Sequence, residues 1–365
     1  MSSRERSECP DRGTVEGRAR GAFLGLVAAD REWHPRPGPP GYPVELALVA
    51  ANAILYGITR GEYRGIMGEW DGYTWMAFRH LYSVQGGTVP TRREEDELLE
   101  VSWVANETSM RGGVHEELET LGAVSELATA MHEQRAENAS ARPESLLQAL
   151  PAGIIAPVVG WEAGRTGAQV AALTRPGAAA RVAAAYLAEI AGRLTAGKCA
   201  ETPGDAKAAC RAATRAVPGW LGPPDTEEGR EEMECAKRFR QYLAKGMRIP
   251  SRNGALETVA FAVRTLREEA SDWHDAMKLA RRWQANPLVA AWLVGALEGL
   301  RRGEDFVAKS VDEADPIGLI AWILGTDFAE GWRVCHLYGP MDTPEERRWF
   351  DMYVNASGTP AGPGE

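Results

Sequence analysis

Cysteine is scarce in this sequence, and its scarcity excludes several kinds of site. The five cysteines among 365 residues are an odd number, and none of them has the Cys-x-x-Cys spacing of a zinc site. A framework of disulfides is equally unsupported, because such frameworks use paired cysteines in oxidising compartments. We therefore expect a cytoplasmic protein with reduced thiols.

Clustered positive charge is also missing. The chain carries 41 Lys and Arg against 51 Asp and Glu, which gives a formal net charge of -10 and a pI near 5.3. Nucleic-acid and anionic-membrane surfaces need grouped Lys and Arg, whereas the basic residues here are interleaved with acids. We therefore expect neither a nucleic acid nor a membrane as partner.

Long hydrophobic runs are lacking near the N-terminus. The apolar run at residues 21–29 is too short to span a bilayer. Asp11 and Glu16 lie where a signal peptide would carry its positive charge. We therefore expect no secretory signal.

The composition favours a helical globular protein. Hydrophobic residues make up 44% and charged residues 25% of the chain, which suffices for an extensive core. Ala, Leu, Glu and Arg favour helix, and strand patterns are weak throughout. The sequence predicts an all-α fold with a single large orthogonal helical domain at residues 14–354. We expect residues 1–13 to be flexible and the Gly/Pro-rich tail 355–365 to be disordered.

Apolar residues recur at helical spacing in many segments. Helices are predicted at residues 15–29, 44–56, 120–131, 177–195, 226–244 and 255–266, and residues 146–159 are an apolar segment interrupted at Pro151 and Pro157. The aromatic-rich segment 62–85 is predicted to be helical in part and to end at Gly86-Gly87. Ser271 is predicted to cap a further helix that runs to Arg282. The Pro-rich stretch 35–43 separates the first two predicted helices, because proline does not fit a helix interior.

The most informative stretch is 282–299, which ends in a helix of small residues. It reads Arg-Trp-Gln-Ala-Asn-Pro-Leu-Val-Ala-Ala-Trp-Leu-Val-Gly-Ala-Leu-Glu-Gly. This stretch resembles the last motif of the ADP-ribosylglycohydrolases, which are all-α enzymes of the dinitrogenase reductase-activating glycohydrolase type that use two Mg²⁺ ions. There the motif reads Gly-Gly-Asp-Thr-Asp-Thr before a helix of the form Ala-Gly-Ala-Leu-Ala-Gly. Alignment on Gly295 and Gly299 places Asn286 and Leu288 at the two aspartate positions.

The first metal motif of that family is altered as well. Residues 18–30 resemble the opening helix of the family, which ends in Gly-Asp-Ala, and Asp30 is retained. The next motif of the family is Thr-Asp-Asp-Thr, and here Tyr42, Pro43 and Val44 stand on its ligand positions. Since Mg²⁺ takes oxygen ligands, chiefly carboxylates, we predict no metal site and no cofactor. Asn286-Pro287 instead makes a good helix start.

Two further segments extend the resemblance over most of the chain. Residues 150–155 and 172–176 resemble an Ala-Pro-Leu-Gly segment and an Ala-Leu-Thr-His-Pro turn, with Arg175 in place of the turn histidine. Arg142-Pro143-Glu144 replaces a preceding Gly-Asn-Gly, and residues 253–258 resemble a Val-Glu-Thr helix start. Four segments in the family's order imply its fold, without its metal-dependent reaction.

We narrowly favour a metal-independent hydrolase or lyase that acts on a small nucleoside-like or aromatic molecule. Asp30, His34 and Glu45 are the candidate catalytic residues, because a carboxylate and an imidazole can perform general acid/base work. The candidate ligand-binding residues are Glu32, Trp33, Tyr42, Arg175, Trp283 and Asn286. Structural roles are the alternative: a loop position in solvent for Glu32 and His34, and a helix cap for Asp30.

Two other functions stay open. A ligand-binding pseudoenzyme is favoured by the loss of both metal motifs together. A structural or assembly partner is the third possibility, and the charged helix at 227–245 would suit it. The Ala/Arg/Gly-rich composition is compatible with a high-GC bacterial gene recruited into specialised metabolism.

Overall fold

The computed structural model consists of helices joined by short connections. It describes residues 12–34, 38–64, 70–90, 101–110, 118–130, 135–137, 140–159, 162–196, 203–268, 270–334 and 352–353. Within these residues every regular element is an α-helix or a 3₁₀ helix, which confirms the predicted all-α fold. The predicted domain limits and terminal tails stay predictions, since most of residues 1–13 and all of 355–365 lie outside the described ranges.

The elements follow one another in this order. The α-helices are α1 (Arg12–Arg31), α2 (Tyr42–Arg64), α3 (Trp70–Val84), α4 (Trp103–Asn106), α5 (Leu118–Thr129), α6 (Leu150–Val159), α7 (Ala163–Thr174), α8 (Ala178–Ala196), α9 (Pro203–Ala216), α10 (Glu227–Leu243), α11 (Ala255–Leu266), α12 (Trp273–Ala280), α13 (Pro287–Arg302) and α14 (Pro316–Val334). Short 3₁₀ helices occupy Thr108–Met110, Glu144–Ala149, Val217–Gly219, Glu304–Phe306 and Ala308–Ser310.

Helices α1 and α13 pack against each other through glycines. Gly21 faces Gly299, and Gly25 faces Gly295. Residue numbers thus increase along α1 where they decrease along α13, so the two helices are antiparallel. A Cβ atom at any of these four positions would overlap backbone atoms of the partner helix. The backbones therefore touch directly, which brings the end of α1 close to the beginning of α13.

Helices α2 and α8 form the centre of the core. The described side chains of α2 between Tyr42 and Gly61 are almost all buried, and α8 is buried along most of its length and packs against α6, α7, α9, α10 and α11. By length and composition alone, Tyr42–Gly61 could cross a membrane, but the whole stretch is buried inside the domain. A central core helix passes the same test, so the stretch carries no membrane assignment.

One predicted helix cap is wrong. Asp272, and not Ser271, caps α12, because its side chain accepts a hydrogen bond from the Asp275 N–H at 2.9 Å. The helix also ends at Ala280, before the predicted Arg282. Ser271 lies one residue before the N-cap position. The negatively charged Asp272 carboxylate is also the better acceptor at a helix N-terminus.

Replacement of Gly299 by alanine should lower the free energy of unfolding by about 2–3 kcal/mol, because the new Cβ meets the Gly21 backbone and cannot be accommodated by a rotamer change. Urea unfolding measures the loss. Gly17→Ala on α1 is the matched control, since nothing lies within 4 Å of a Cβ there. The control should keep or raise stability, by up to about 1 kcal/mol. Equal effects of both substitutions would contradict the close contact.

Candidate functional site

Asn286 joins three of the segments that carry the family resemblance. Its Oδ1 accepts a hydrogen bond from the Val289 N–H at 3.1 Å, and Pro287 occupies the first turn of α13, as predicted for this helix start. Its amide Nδ2 donates to Glu144 Oε1 at 3.2 Å and to Asn253 Oδ1 at 3.1 Å. The beginning of α13, the 3₁₀ helix Glu144–Ala149 and the loop before α11 therefore meet at one side chain.

Asp30 is a second junction, at the end of α1. Its carboxylate is only 1% exposed and accepts hydrogen bonds from the Gly41 N–H at 3.2 Å and the Trp292 indole N–H at 3.2 Å. Gly41 also begins α2, because its carbonyl oxygen accepts from the N–H groups of Val44 and Glu45. Asp30 thus connects α1, α2 and α13 through backbone and indole groups that can only donate.

His34 lies beside Asp30 in the loop that follows α1. Its Nδ1 is 2.9 Å from Asp30 Oδ1, and its side chain is 11% exposed. The same loop is held by Arg31, whose guanidinium donates to both carboxylate oxygens of Asp315, next to α14. The structure therefore brings two of the three candidate catalytic residues together in a braced loop.

Glu45, the third candidate, bonds elsewhere. It lies fully buried in the first turn of α2, and its Oε1 accepts a hydrogen bond from Gln85 Nε2 at 2.8 Å. Its Oε2 has no hydrogen-bond partner among the described residues. Burial raises the pKa of Glu45 to about 8, against a smaller lowering by the Gln85 hydrogen bond. The carboxyl is therefore mainly protonated at neutral pH.

Tyr42 lies one helical turn before Glu45 and is fully buried with it. Burial raises its pKa well above the ordinary value, and the neighbouring Glu45 and Tyr82 add to the increase. The phenol therefore stays protonated at physiological pH. Val44, on another position of the lost metal motif, is also fully buried.

The remaining predicted ligand-binding residues make contacts within the fold. Glu32 forms an ion pair with Arg281 at 2.7 Å, and the same guanidinium lies over the Trp33 ring at 5.2 Å. Trp283 is 5% exposed, stacks on Phe261 with ring centroids 5.0 Å apart and donates its indole N–H to Thr258. These contacts tie the loop after α1 to the end of α12, and the segment between α12 and α13 to α11.

Arg175 follows α7 and has no exposed surface. Its guanidinium donates to the Thr174 carbonyl oxygen at 3.0 Å. Arg175 aligns with the turn histidine of the family, and its side chain is buried in the core. Ligand contact by Arg175 stays a prediction.

The residues present do not fit the two Mg²⁺ ions that the family implies. No group of three or more His, Cys, Asp or Glu suited to a metal occurs in the described ranges. Of the nearby carboxylates, Asp30 accepts three N–H donors, Glu144 accepts the Asn286 amide and Glu45 is mainly protonated. A hard cation needs deprotonated oxygens directed at it, and here N–H donors take that place.

Sequence reasoning missed several polar residues at this site. Gln85 bonds Glu45, while Ser145 and Gln148 are fully buried on the 3₁₀ helix Glu144–Ala149. A signal was available in part, because Ser145 directly precedes the apolar segment 146–159 and Gln148 interrupts it near its start. Gln85 carried no signal, since only tertiary packing brings it to α2.

Comparison with known proteins agrees with this fold. A family model described as ADP-ribosylglycohydrolase matches residues 11–314. A solved structure titled "ADP-ribosylglycohydrolase-related protein complex" superposes with a TM-score of 0.54 at 17% identity, covering 86% of this chain and 98% of that chain. No curated protein matches the sequence. The structural likeness shows the fold alone, while the family model spans most of the sequence. The chain therefore belongs to the ADP-ribosylglycohydrolase family.

Proposed function

We propose that this chain is a non-catalytic member of its family that binds a small nucleoside-like or aromatic molecule without a metal. The observation that carries the proposal is the hydrogen bond from Asn286 Nδ2 to Glu144 Oε1 at 3.2 Å. An amide donor stands where the family motif needs an anionic oxygen, and it donates directly to the Glu144 carboxylate. The two side chains Asn286 and Glu144 thus satisfy one another at the altered last motif.

The charge at the site supports an uncharged ligand. A diphosphate bound here would have no metal to neutralise it and would lie near the buried carboxylates of Asp30 and Glu144. Burial of unpaired like charges is costly, so ADP-ribose itself is disfavoured. A nucleoside or an aromatic amide lacks this penalty. A cytoplasmic bacterial setting in specialised metabolism, suggested by the composition, belongs to the same proposal.

The second candidate is the metal-independent hydrolase or lyase, which the Asp30–His34 pair favours. A buried carboxylate at 2.9 Å from Nδ1 orients an imidazole for general-base work, as in other Asp–His pairs. The same Asp30–His34 contact also holds the loop after α1 in place. Because this structural role explains the contact without any catalysis, binding without catalysis ranks first.

The purified protein should release no ADP-ribose from ADP-ribosylated arginine, with or without Mg²⁺. Adenosine or nicotinamide should raise its melting temperature equally in Mg²⁺ and in EDTA. Binding to the native state at a hundredfold excess over Kd adds about 2.7 kcal/mol to stability, which is a shift of a few degrees. Differential scanning fluorimetry and a chromatographic assay measure the two outcomes. Mg²⁺-dependent release of ADP-ribose would overturn the proposal.

His34→Gln separates the two candidates. If the chain only binds its ligand, metal-free incubation with nucleosides yields no product, and the variant behaves like wild type in this assay. If product forms and the variant loses it by about a hundredfold or more, general-base catalysis by His34 replaces the binding proposal. The melting temperature of the variant controls for damage to the brace at Asp30.

Glu45→Gln should alter the pH dependence of stability. The pKa of Glu45 rises from 4.5 to about 8 on folding, so the native state retains a proton that the unfolded state releases between these values. Wild-type stability from this group therefore falls as pH rises from about 4.5 to about 8. The variant cannot ionise, and at pH 9 it should exceed wild type by something on the order of 3 kcal/mol.

The two proteins should converge near pH 4, where both side chains are neutral. Urea unfolding at several pH values provides the comparison, with exposed Glu231→Gln as the control that should leave the pH dependence unchanged. A constant difference between wild type and Glu45→Gln across the pH range would show that Glu45 ionises normally in the folded protein.

A further inference from the structure

Four elements that pack in a ring carry buried polar side chains. Helix α2 packs against α3 and against the 3₁₀ helix Glu144–Ala149, and α7 packs against both α3 and that 3₁₀ helix. Each element contributes a polar side chain: Glu45 from α2, Gln85 from the end of α3, Gln148 from the 3₁₀ helix and Thr174 from α7. The Gln85–Glu45 bond of 2.8 Å and the Thr174–Gln148 bond of 3.3 Å link them in pairs.

Three polar atoms of this region have no partner. Glu45 Oε2, Ser145 Oγ and Gln148 Nε2 are buried without a hydrogen bond in the described part of the chain, and all three residues have 0% exposure. Most buried polar atoms in native proteins are paired, and an unpaired one costs about 1–3 kcal/mol. Ser145 and Gln148 are three residues apart on a 3₁₀ helix, so they share a face.

We propose that Glu45, Ser145 and Gln148 recognise an uncharged ligand that presents hydrogen-bond acceptors, of the chemical class of a nucleobase or an aromatic amide. This inference rests on the proposed binding function and assigns its recognition residues. The ligand would complete the pairing of three atoms that the fold leaves unpaired. It would enter between α2, α3, α7 and the 3₁₀ helix.

The donors and acceptors at these atoms define the ligand. Thr174 donates to Gln148 Oε1, so the amide N–H groups of Gln148 face the unpaired side as donors. Gln85 donates a hydrogen bond to Glu45 Oε1 and leaves Oε2 as the unpaired oxygen. In the protonated carboxyl, which the raised pKa of Glu45 supports, Oε2 carries an O–H that can donate. The Ser145 hydroxyl can donate or accept. Ring nitrogens and carbonyl oxygens match such a set, whereas an anion would repel any ionised Glu45.

The segments that carry the polar residues also carry buried aliphatic side chains. Val44, Leu146, Leu147 and Leu173 are adjacent in sequence to the polar residues and are 0–1% exposed. Burial of an aromatic ring among aliphatic side chains adds favourable apolar contact, while the few polar atoms fix its orientation. The combination is typical of a site for a small planar molecule.

Isothermal titration of the full-length chain with adenine, adenosine and nicotinamide tests this assignment, with AMP and ADP-ribose as charged probes. Ser145→Ala and Gln148→Met each remove unpaired polar atoms with little change in shape. Each should weaken binding of the best neutral probe about tenfold, as expected for the loss of one hydrogen bond. Exposed Gln284→Met is the matched control and should bind as wild type does.

Unfolding of the ligand-free variants distinguishes recognition from a structural role. Ser145→Ala removes an unsatisfied hydroxyl, so its melting temperature should stay the same or rise while its affinity falls. If a neutral probe binds wild type and both variants equally well, the assignment of these residues is overturned and the proposed function stands. If only charged probes bind, the ligand class is overturned. If no probe binds wild type, the proposed binding function fails, and the assignment fails with it.

Discussion

The close backbone contact between α1 and α13 is the constraint on which the rest of the site depends. Glycines at both helix surfaces let the two antiparallel backbones touch, as the overlap of any added Cβ shows. This contact sets the end of α1 beside α13, so that Asp30 reaches Trp292 at 3.2 Å. It also presents Asn286, at the beginning of α13, to the 3₁₀ helix that carries Glu144.

Hydrogen bonds among side chains and backbone groups join the segments that resemble the family's metal motifs. Asp30 accepts N–H donors from the loop after α1, from Gly41 before α2 and from α13, and Asn286 donates to a carboxylate while it caps its own helix. Both junctions connect segments that are distant in sequence. The unpaired atoms of Glu45, Ser145 and Gln148 lie on α2 and on the 3₁₀ helix Glu144–Ala149.

The sequence was sufficient to predict the central helices and the cap at Asn286, because apolar spacing and capping chemistry are local. The helices α7, α9 and α14 were not predicted, and the α12 cap was assigned one residue early. The Asp30–His34 contact follows from a separation of four residues at a helix end. The Glu45–Gln85 and Asn286–Glu144 bonds could not be predicted, since they join residues 40 and 142 positions apart through tertiary packing alone.

Hydrogen bonds between side chains in place of a metal centre imply that the chain binds no divalent cation at this site. Equilibrium dialysis of the purified chain against Mn²⁺, whose bound and free forms are distinguished by electron paramagnetic resonance, tests this most directly. We predict no saturable binding up to millimolar free cation, because the available oxygens accept N–H donors or are protonated. Saturable binding of two ions per chain, lost on competition with Mg²⁺, would contradict the account.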